Sequence, residues 1–253
     1  MYIPVFIMGM TIGSFLNVCI YRIPRGESVV YPPSRCTRCS HSLAWYDMIP
    51  ILSYIFLKGK CRYCGEGISP RYPIIEALNG ILYLFVFYYF GLSLEFYFYC
   101  FMASILIVIC LIDYYERIIP DGLVLAILAA TVLYKGLGYS IFGIPFSFRD
   151  SIYGFLSGGL FFLFIAVVSK GAMGGGDIKL TAALGLILGF KKTVLNILLS
   201  FIIGALASLY LLISGRKGRK DEIPFGPFIN ISFFITLFFG DGIIYRYLQS
   251  FTG

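Results

Sequence analysis

Two aspartates stand at the ends of apolar runs rather than in polar loops. Asp113 closes one run, and Asp177 opens another directly after Gly174, Gly175 and Gly176. A carboxylate at a membrane boundary is costly and is therefore a functional candidate. Asp113 also ends a predicted helix, where a negative charge opposes the helix dipole, so its position needs a reason other than helix stability.

Two carboxylates that share a site do not ionise together easily, so one proton is held between them. One carboxylate can then act as a base on a water molecule while the other polarises a scissile carbonyl. The residue types and the shared membrane level of Asp113 and Asp177 therefore indicate aspartic-protease chemistry.

Neighbouring residues are candidates for support of this pair. Gly174 and Gly176 allow another chain to approach the Asp177 carboxylate closely. Lys179 can tune Asp177 electrostatically or extend its amine to the membrane surface. Asp121 follows Pro120 and starts the next apolar run, where a role as a helix-start residue is sufficient to explain it.

Four of the seven cysteines form two CxxC pairs, Cys36 with Cys39 and Cys61 with Cys64, separated by 21 residues. This pattern predicts a four-cysteine zinc site, which is closed and structural rather than catalytic. Two disulfides or a redox pair are the alternatives, but a reducing cytoplasm disfavours disulfides. His41 lies between the pairs and is expected to be a bystander, since four thiolates complete the ligand set.

The composition indicates the class of fold that must position these residues. The chain has 253 residues, of which 59% are hydrophobic and 13% charged, and this excludes a water-soluble globular domain. The net charge of +7 does not indicate nucleic-acid binding, because the aromatic residues lie mostly in the apolar runs.

Eight apolar runs predict about eight transmembrane helices, and they span 2–20, 74–90, 96–112, 122–139, 152–169, 178–190, 193–214 and 225–239. The sixth run is short for a full crossing and is expected to be tilted, extended or partly re-entrant.

The basic residues predict the orientation, since basic loops stay in the cytoplasm. With the N-terminus outside, 15 of the 20 Lys and Arg residues fall inside, namely Arg22, Arg25, Arg35, Arg38, Lys58, Lys60, Arg62, Arg71, Arg117, Lys170, Lys179, Arg216, Lys217, Arg219 and Lys220. Three parts are expected along the chain: a first transmembrane helix over 1–20, a cytoplasmic zinc domain over 21–73, and a membrane peptidase domain over 74–253. The fold class is therefore an all-α polytopic membrane protein with a small zinc-stapled cytoplasmic domain between its first two helices.

Taken together, the motifs resemble those of the bacterial type IV prepilin peptidases, which belong to the GxGD aspartyl proteases. The resemblance runs through nearly the whole length, in Gly13–Val18, the two CxxC pairs, Trp45–Asp47, Ser69–Glu76, Asp113, Ile119–Asp121, Gly174–Asp177 and Ile223–Pro227.

The resemblance implies a catalytic dyad of Asp113 and Asp177 in the bacterial inner membrane. The substrates would be type IV prepilins or pseudopilins of pilus, type II secretion or competence systems, cut after a glycine before their apolar helix. It also implies N-methylation of the new N-terminus with S-adenosylmethionine, associated with the zinc domain. The expected surroundings are membrane lipid, and no nucleic-acid partner is expected.

Two other functions fit parts of the sequence. A membrane transporter would use Asp113 and Asp177 as ion sites, but it would place them nearer the middle of the bilayer. A non-enzymatic zinc-bearing scaffold would need Cys36 but neither aspartate.

Overall fold

The computed structural model describes residues 1–170, 173–215, 218 and 221–252, with the main chain alone at 251 and 252. Four basic residues of the predicted inside loop, Arg216, Lys217, Arg219 and Lys220, lie outside the described residues. Within the described part the secondary structure is helical, apart from two isolated β-bridges. The helices are α1 (Tyr2–Arg22), α2 (Leu52–Phe56), α3 (Arg71–Phe90), α4 (Leu94–Glu116), α5 (Asp121–Ser140), α6 (Phe148–Val168), α7 (Gly175–Leu188), α8 (Phe190–Ile213) and α9 (Gly226–Thr252).

Seven of the described helices are long and apolar enough to cross a membrane: α1, α3, α4, α5, α6, α8 and α9. A further apolar helix, α7, has 14 residues and is not one of these seven. At 1.5 Å per residue it measures about 21 Å, less than the ~30 Å hydrocarbon core. The all-α polytopic fold is thus confirmed, and the short sixth run of the sequence corresponds to α7.

Polar side chains close the C-terminal end of α7. Lys135 on α5 donates a hydrogen bond of 2.7 Å to the carbonyl of Leu186, and it also bonds the hydroxyl of Ser151. Asp150 on α6 accepts a 3.1 Å hydrogen bond from the backbone N–H of Phe190, the first residue of α8. These contacts satisfy main-chain groups that helix ends leave without partners, so α7 can stop before a full crossing.

The chain forms two compact units, Met1–Val108 and Ile109–Gly253. In the first unit α1 packs closely on α3, because Gly9 and Gly13 bring the two backbones together. Asn79 of α3 donates a 2.7 Å hydrogen bond to the carbonyl of Gly9 and accepts a 3.2 Å one from Ser104. The small-residue spacing therefore serves close helix packing, and Asn79 serves hydrogen bonding between helices.

In the second unit α6 packs on α7, and α8 packs on α9. Gly154 of α6 and Gly185 of α7 face each other so closely that neither position has space for a side chain. Three aromatic rings, those of Phe162, Phe201 and Phe225, lie within 6 Å of one another by their centroids and join α6, α8 and the residues before α9. This packing joins α6, α7, α8 and the residues before α9 within one unit.

Candidate active site and metal centre

The four cysteines predicted as zinc ligands come together in the first unit. The sulfur atoms of Cys36, Cys39, Cys61 and Cys64 all lie within 4.8 Å of one another. The Sγ atoms of Cys36 and Cys64 are 3.9 Å apart. A tetrahedral zinc ion with Zn–S bonds of ~2.3 Å separates its sulfurs by about 3.8 Å. The cluster therefore fits structural zinc, and all four thiols are free of disulfides.

Each CxxC pair sits in a tight turn of the same kind. The N–H of Cys36 bonds the carbonyl of His41 at 3.0 Å, and the N–H of Cys61 bonds that of Glu66 at 2.8 Å. The backbone N–H groups of Cys39 and Arg38 lower the pKa of the Cys36 thiol to about 7. Zinc binds the thiolate form, so these two N–H groups favour Cys36 as a ligand.

Asp47 braces the metal centre, a role that the sequence analysis did not assign. Its side chain is 3% exposed and accepts a 2.7 Å hydrogen bond from Nε of Arg62 and a 3.2 Å one from the hydroxyl of Tyr63. Burial raises the pKa of Asp47, but the donors Arg62, Tyr63 and Ala44 outweigh this effect and leave it lowered. The ring of His41 stacks on Tyr63 with 3.6 Å between centroids, so both CxxC turns are tied to this brace.

Asp113 lies in the last turn of α4, which continues to Glu116. The residue is buried, and its Oδ2 accepts a 2.9 Å hydrogen bond from the backbone N–H of Gly226. Gly226 is the first residue of α9, so the positive end of that helix faces the carboxylate. This partner accounts for a negative charge at the unfavourable end of α4.

Asp177 occupies the first turn of α7, where its N–H bonds the carbonyl of Gly174 at 3.2 Å. Its Oδ1 is buried and has no hydrogen-bond partner among the described residues. The carboxylates of Asp177 and Asp113 are close enough to interact electrostatically. The structure therefore brings the two predicted acids together within one unit.

The four predicted supporting residues have different surroundings. A side chain at Gly174 would lie 3.4 Å from Oδ2 of Asp177, and one at Gly176 would lie 2.8 Å from the Cβ of Ile119. Lys179 does not reach Asp177 by any described hydrogen bond. Instead its amine bonds Oδ1 of Asp121 at 2.8 Å, in an exposed pair that joins the first turns of α5 and α7.

A further ion pair near the acids was missed in the sequence. Arg117, just after α4, bonds Glu222 at 3.0 Å, and Glu222 lies four residues before Gly226. Arg117 has a φ of 56°, which a residue with a side chain rarely adopts. Its partner is 105 positions away, so local pattern could not indicate the contact.

The fold and these two sites define a polytopic helical membrane protein with a carboxylate pair in one unit and a four-cysteine metal centre in the other. Residues 7–90 match the model described as the bacterial peptidase A24 N-terminal domain, and residues 100–209 match that of the type IV leader peptidase family. The chain belongs to the type IV leader peptidase family. This membership favours the enzyme over the transporter and the scaffold.

Curated relatives cover nearly the whole chain. The prepilin leader peptidase/N-methyltransferase of Bacillus subtilis is 35% identical over 247 residues, which is 96% of this chain and 96% of that protein. Proteins of the same name from Stutzerimonas stutzeri and Pseudomonas aeruginosa are each 33% identical over 271 residues, 96% of this chain and 92% of theirs. No solved structure matches the chain. Together with the seven apolar helices, these relatives identify a multi-pass inner-membrane protein.

Proposed function

We propose that the protein is a membrane aspartic endopeptidase that removes the leader peptide of type IV prepilins or pseudopilins. Asp113 and Asp177 are its catalytic residues, and cleavage follows a glycine next to the apolar helix of the substrate. The observation that carries this proposal is the buried Oδ1 of Asp177, which has no described partner and lies near a second carboxylate. A buried acceptor without a donor is costly unless another molecule satisfies it.

The hydrogen bond from Gly226 orients Asp113. It engages Oδ2, which leaves Oδ1 of Asp113 for water or substrate. Asp177 is held differently, because its position in the first turn of α7 depends on the backbone contact with Gly174. One acid is thus fixed by the start of α9 and the other by the start of α7, and both helices belong to the second unit.

The pair supplies both functions that amide hydrolysis needs. The ionised carboxylate takes a proton from a water molecule, whose oxygen attacks the carbonyl carbon of the scissile bond. The protonated carboxyl donates a hydrogen bond to the carbonyl oxygen as negative charge develops there. Collapse of the intermediate breaks the C–N bond, and the amine that leaves takes up a proton from the pair.

The position of the acids suits a substrate anchored in the bilayer. Both lie at helix ends, so a substrate helix in the membrane would present its junction to them rather than its middle. In this proposal the N-terminus of the enzyme lies outside, residues 21–73 form the cytoplasmic zinc domain, and residues 74–253 form the peptidase domain. The surrounding medium is membrane lipid, and the basic residues of the loops serve orientation rather than nucleic-acid binding.

The methylation step belongs to the same proposal. The relatives carry N-methyltransferase in their names, and we infer that this chain methylates the new N-terminal amine with S-adenosylmethionine. When bound, zinc would cross-link the two CxxC turns. Its four thiolate ligands would leave no coordination position open for catalysis. Cys36, Cys39, Cys61 and Cys64 would hold it, while Asp47 braces the turns around them.

Cleavage of a pilin-type precursor by the full-length protein in detergent tests the peptidase. The parent is compared with Asp113→Asn, Asp177→Asn and the exposed control Asp241→Asn, each checked for an unchanged helical spectrum. We expect no cleavage from the first two variants and parental cleavage from the control. Near-parental cleavage by a folded Asp113→Asn or Asp177→Asn protein would overturn the dyad and make Asp121 the next candidate.

A further inference from the structure

The segment before the second CxxC pair exposes an unusual number of large apolar side chains. On α2, Leu52 is 52% exposed, Ile55 61% and Phe56 79%, and Trp45 in the preceding turn is 75% exposed. Positions i, i+3 and i+4 lie on one side of a helix, so the three α2 residues share a face. We call this face, together with Trp45, the α2 surface. Several large apolar side chains exposed on a small polar segment indicate a contact that the chain alone does not supply.

The residue that precedes α2 contacts a membrane-spanning helix of its own unit. The N–H of Ile51, the residue directly before α2, donates a 2.7 Å hydrogen bond to Oε2 of Glu76. Glu76 is buried and is the sixth residue of the candidate span α3. At 1.5 Å per residue, this contact lies about 7–8 Å along α3 from its first residue. The start of α2 is therefore held at the depth where α3 enters the membrane.

The backbone at this junction is held in a strained conformation. Ile51 has a φ of 60°, which is a rare value for a β-branched residue. Such conformations persist only when surrounding contacts over-determine them. The hydrogen bond to Glu76 is one such contact, so the link between α2 and α3 is specific rather than incidental.

The charges near α2 fit the same position. Lys58 and Lys60 follow the helix and are exposed, and neither forms a described ion pair. Long basic side chains extend to lipid headgroups from the edge of an apolar surface. Tryptophan also favours this level of a bilayer, because its ring is apolar and its N–H is polar.

We propose that the α2 surface is inserted into the lipid–water interface of the leaflet that α3 enters. Leu52, Ile55 and Phe56 contact acyl chains, Trp45 lies at the headgroup level, and Lys58 and Lys60 contact anionic headgroups. The lipid bilayer is the partner because the Ile51–Glu76 hydrogen bond holds the start of α2 near the N-terminal end of α3, a helix long and apolar enough to cross a membrane, and because Lys58 and Lys60 flank α2. The zinc-bearing segment is thereby kept on the membrane. This inference goes beyond the proposed function and does not depend on it.

Trp45 allows a direct test, since it is the only tryptophan of the chain. The zinc-loaded full-length protein is reconstituted into phosphatidylcholine and phosphatidylglycerol vesicles whose acyl chains carry bromine close to the headgroup or near the chain end. We expect bromine close to the headgroup to quench most Trp45 emission, and acrylamide in the water to quench little of it. In the variant Trp45→Phe with Phe56→Trp, the tryptophan should be quenched more strongly by bromine deeper in the chain than Trp45 is.

Paired substitutions show whether the helix face holds the segment in place. Ile55→Ser with Phe56→Ser should reduce quenching of Trp45 by brominated lipid and increase its quenching by acrylamide. Val30→Ser, at a position 85% exposed outside α2, should change neither. Emission that brominated lipid does not quench in the parent protein would overturn the inference. In that case acrylamide quenching would assign the surface to water, and emission dependent on the protein-to-lipid ratio would assign it to a second copy.

Discussion

The backbone N–H of Gly226 donates a 2.9 Å hydrogen bond to Oδ2 of Asp113, a residue 113 positions earlier in the chain. Gly226 is buried, and a Cβ atom built on it would lie 2.6 Å from the same oxygen. The contact therefore requires both a backbone donor at this position and the absence of a side chain. It links the sequence Ile223–Pro227, a motif without evident chemistry of its own, to the carboxylate pair.

The first prediction concerns this contact. Gly226→Ala places a methyl group against Oδ2 of Asp113. The carboxylate then has to leave the orientation in which it acts together with Asp177. A misplacement of ~1 Å at a reacting group can lower a rate about 100-fold, and we expect a loss of that order in precursor cleavage. The measurement is the cleavage rate of purified protein at saturating substrate.

Gly242→Ala is the matched control, since it makes the same change in the same helix at a position with open space around it. It should cleave at the parental rate and have equal or slightly higher stability, because alanine favours helix more than glycine does. Parental cleavage by a folded Gly226→Ala protein would show that the hydrogen bond does not position Asp113.

The helices could be predicted from the sequence because their cause is local. An apolar run of sufficient length has to satisfy its backbone groups internally in a membrane, and helix is the form that does so. The run over 178–190 is visibly short for a full crossing, but the sequence does not show the contacts that end α7. Lys135 lies within the predicted run 122–139, and it bonds the carbonyl of Leu186 from 51 positions away.

The candidate site was predictable to the extent that residue types carry chemistry. Four cysteines in CxxC pairs and two aspartates at run ends are informative by themselves. The contacts that hold these residues could not be predicted, because they depend on which segments the fold brings together. Examples are the contact of Asp47 with Arg62 and that of Asp113 with Gly226. Lys179 shows the limit clearly, since its closeness in sequence to Asp177 suggested one partner and the fold supplies Asp121.

The second prediction concerns zinc. Cys36→Ser removes one of four ligands, so the purified protein should lose its bound zinc and its methylation of the cleaved product. Cleavage should continue near the parental rate, because Asp113 and Asp177 belong to the other unit. Metal content by mass spectrometry, with product mass for methylation, provides the readout. Cys19→Ala in α1 is the control and should keep both zinc and methylation. A zinc content in Cys36→Ser equal to that of the parent would refute the four-cysteine ligand set.

The third prediction compares two ion pairs near the metal, one with a buried carboxylate and one with both side chains exposed. Asp47→Asn weakens the bond to Arg62, which lies between Cys61 and Cys64, and it leaves the half-exposed guanidinium of Arg62 without its charge partner. We expect zinc to be released at a lower chelator concentration than from the parent. Glu66→Gln removes the exposed pair with Arg38, whose closest atoms are 4.0 Å apart. Exposed pairs contribute little, so this variant should release zinc as the parent does.

The outcome of that comparison also tests the brace itself. If Asp47→Asn and Glu66→Gln release zinc at the same chelator concentration, Asp47 has no special role at the metal centre. If both release it earlier than the parent, the overall charge of the segment matters more than the buried contact.

The fourth prediction concerns the end of α7. Lys135→Met keeps an unbranched apolar chain but removes the donor to the carbonyl of Leu186 and to the hydroxyl of Ser151. Leaving a part-buried carbonyl without its donor costs about 1–3 kcal/mol, so the midpoint of thermal unfolding in detergent should fall by several degrees. Lys192→Met is the control, since its partner Asp241 is 84% exposed and can be solvated by water. An equal midpoint for Lys135→Met and the parent would show that this contact does not stabilise the helix end.

The fifth prediction concerns Asp121 and Lys179, whose 2.8 Å bond joins the first turns of α5 and α7. Both side chains are more than half exposed, so the pair contributes little to stability. We expect it to act mainly through the position of α7. We expect Asp121→Lys to lower precursor cleavage modestly by placing two positive charges together at the start of α7. Adding Lys179→Asp should restore most of the rate, because the reversed pair can form in the same place. Failure of the double variant to recover, with both proteins folded, would mean that Asp121 acts on the reaction directly rather than through its bond to Lys179.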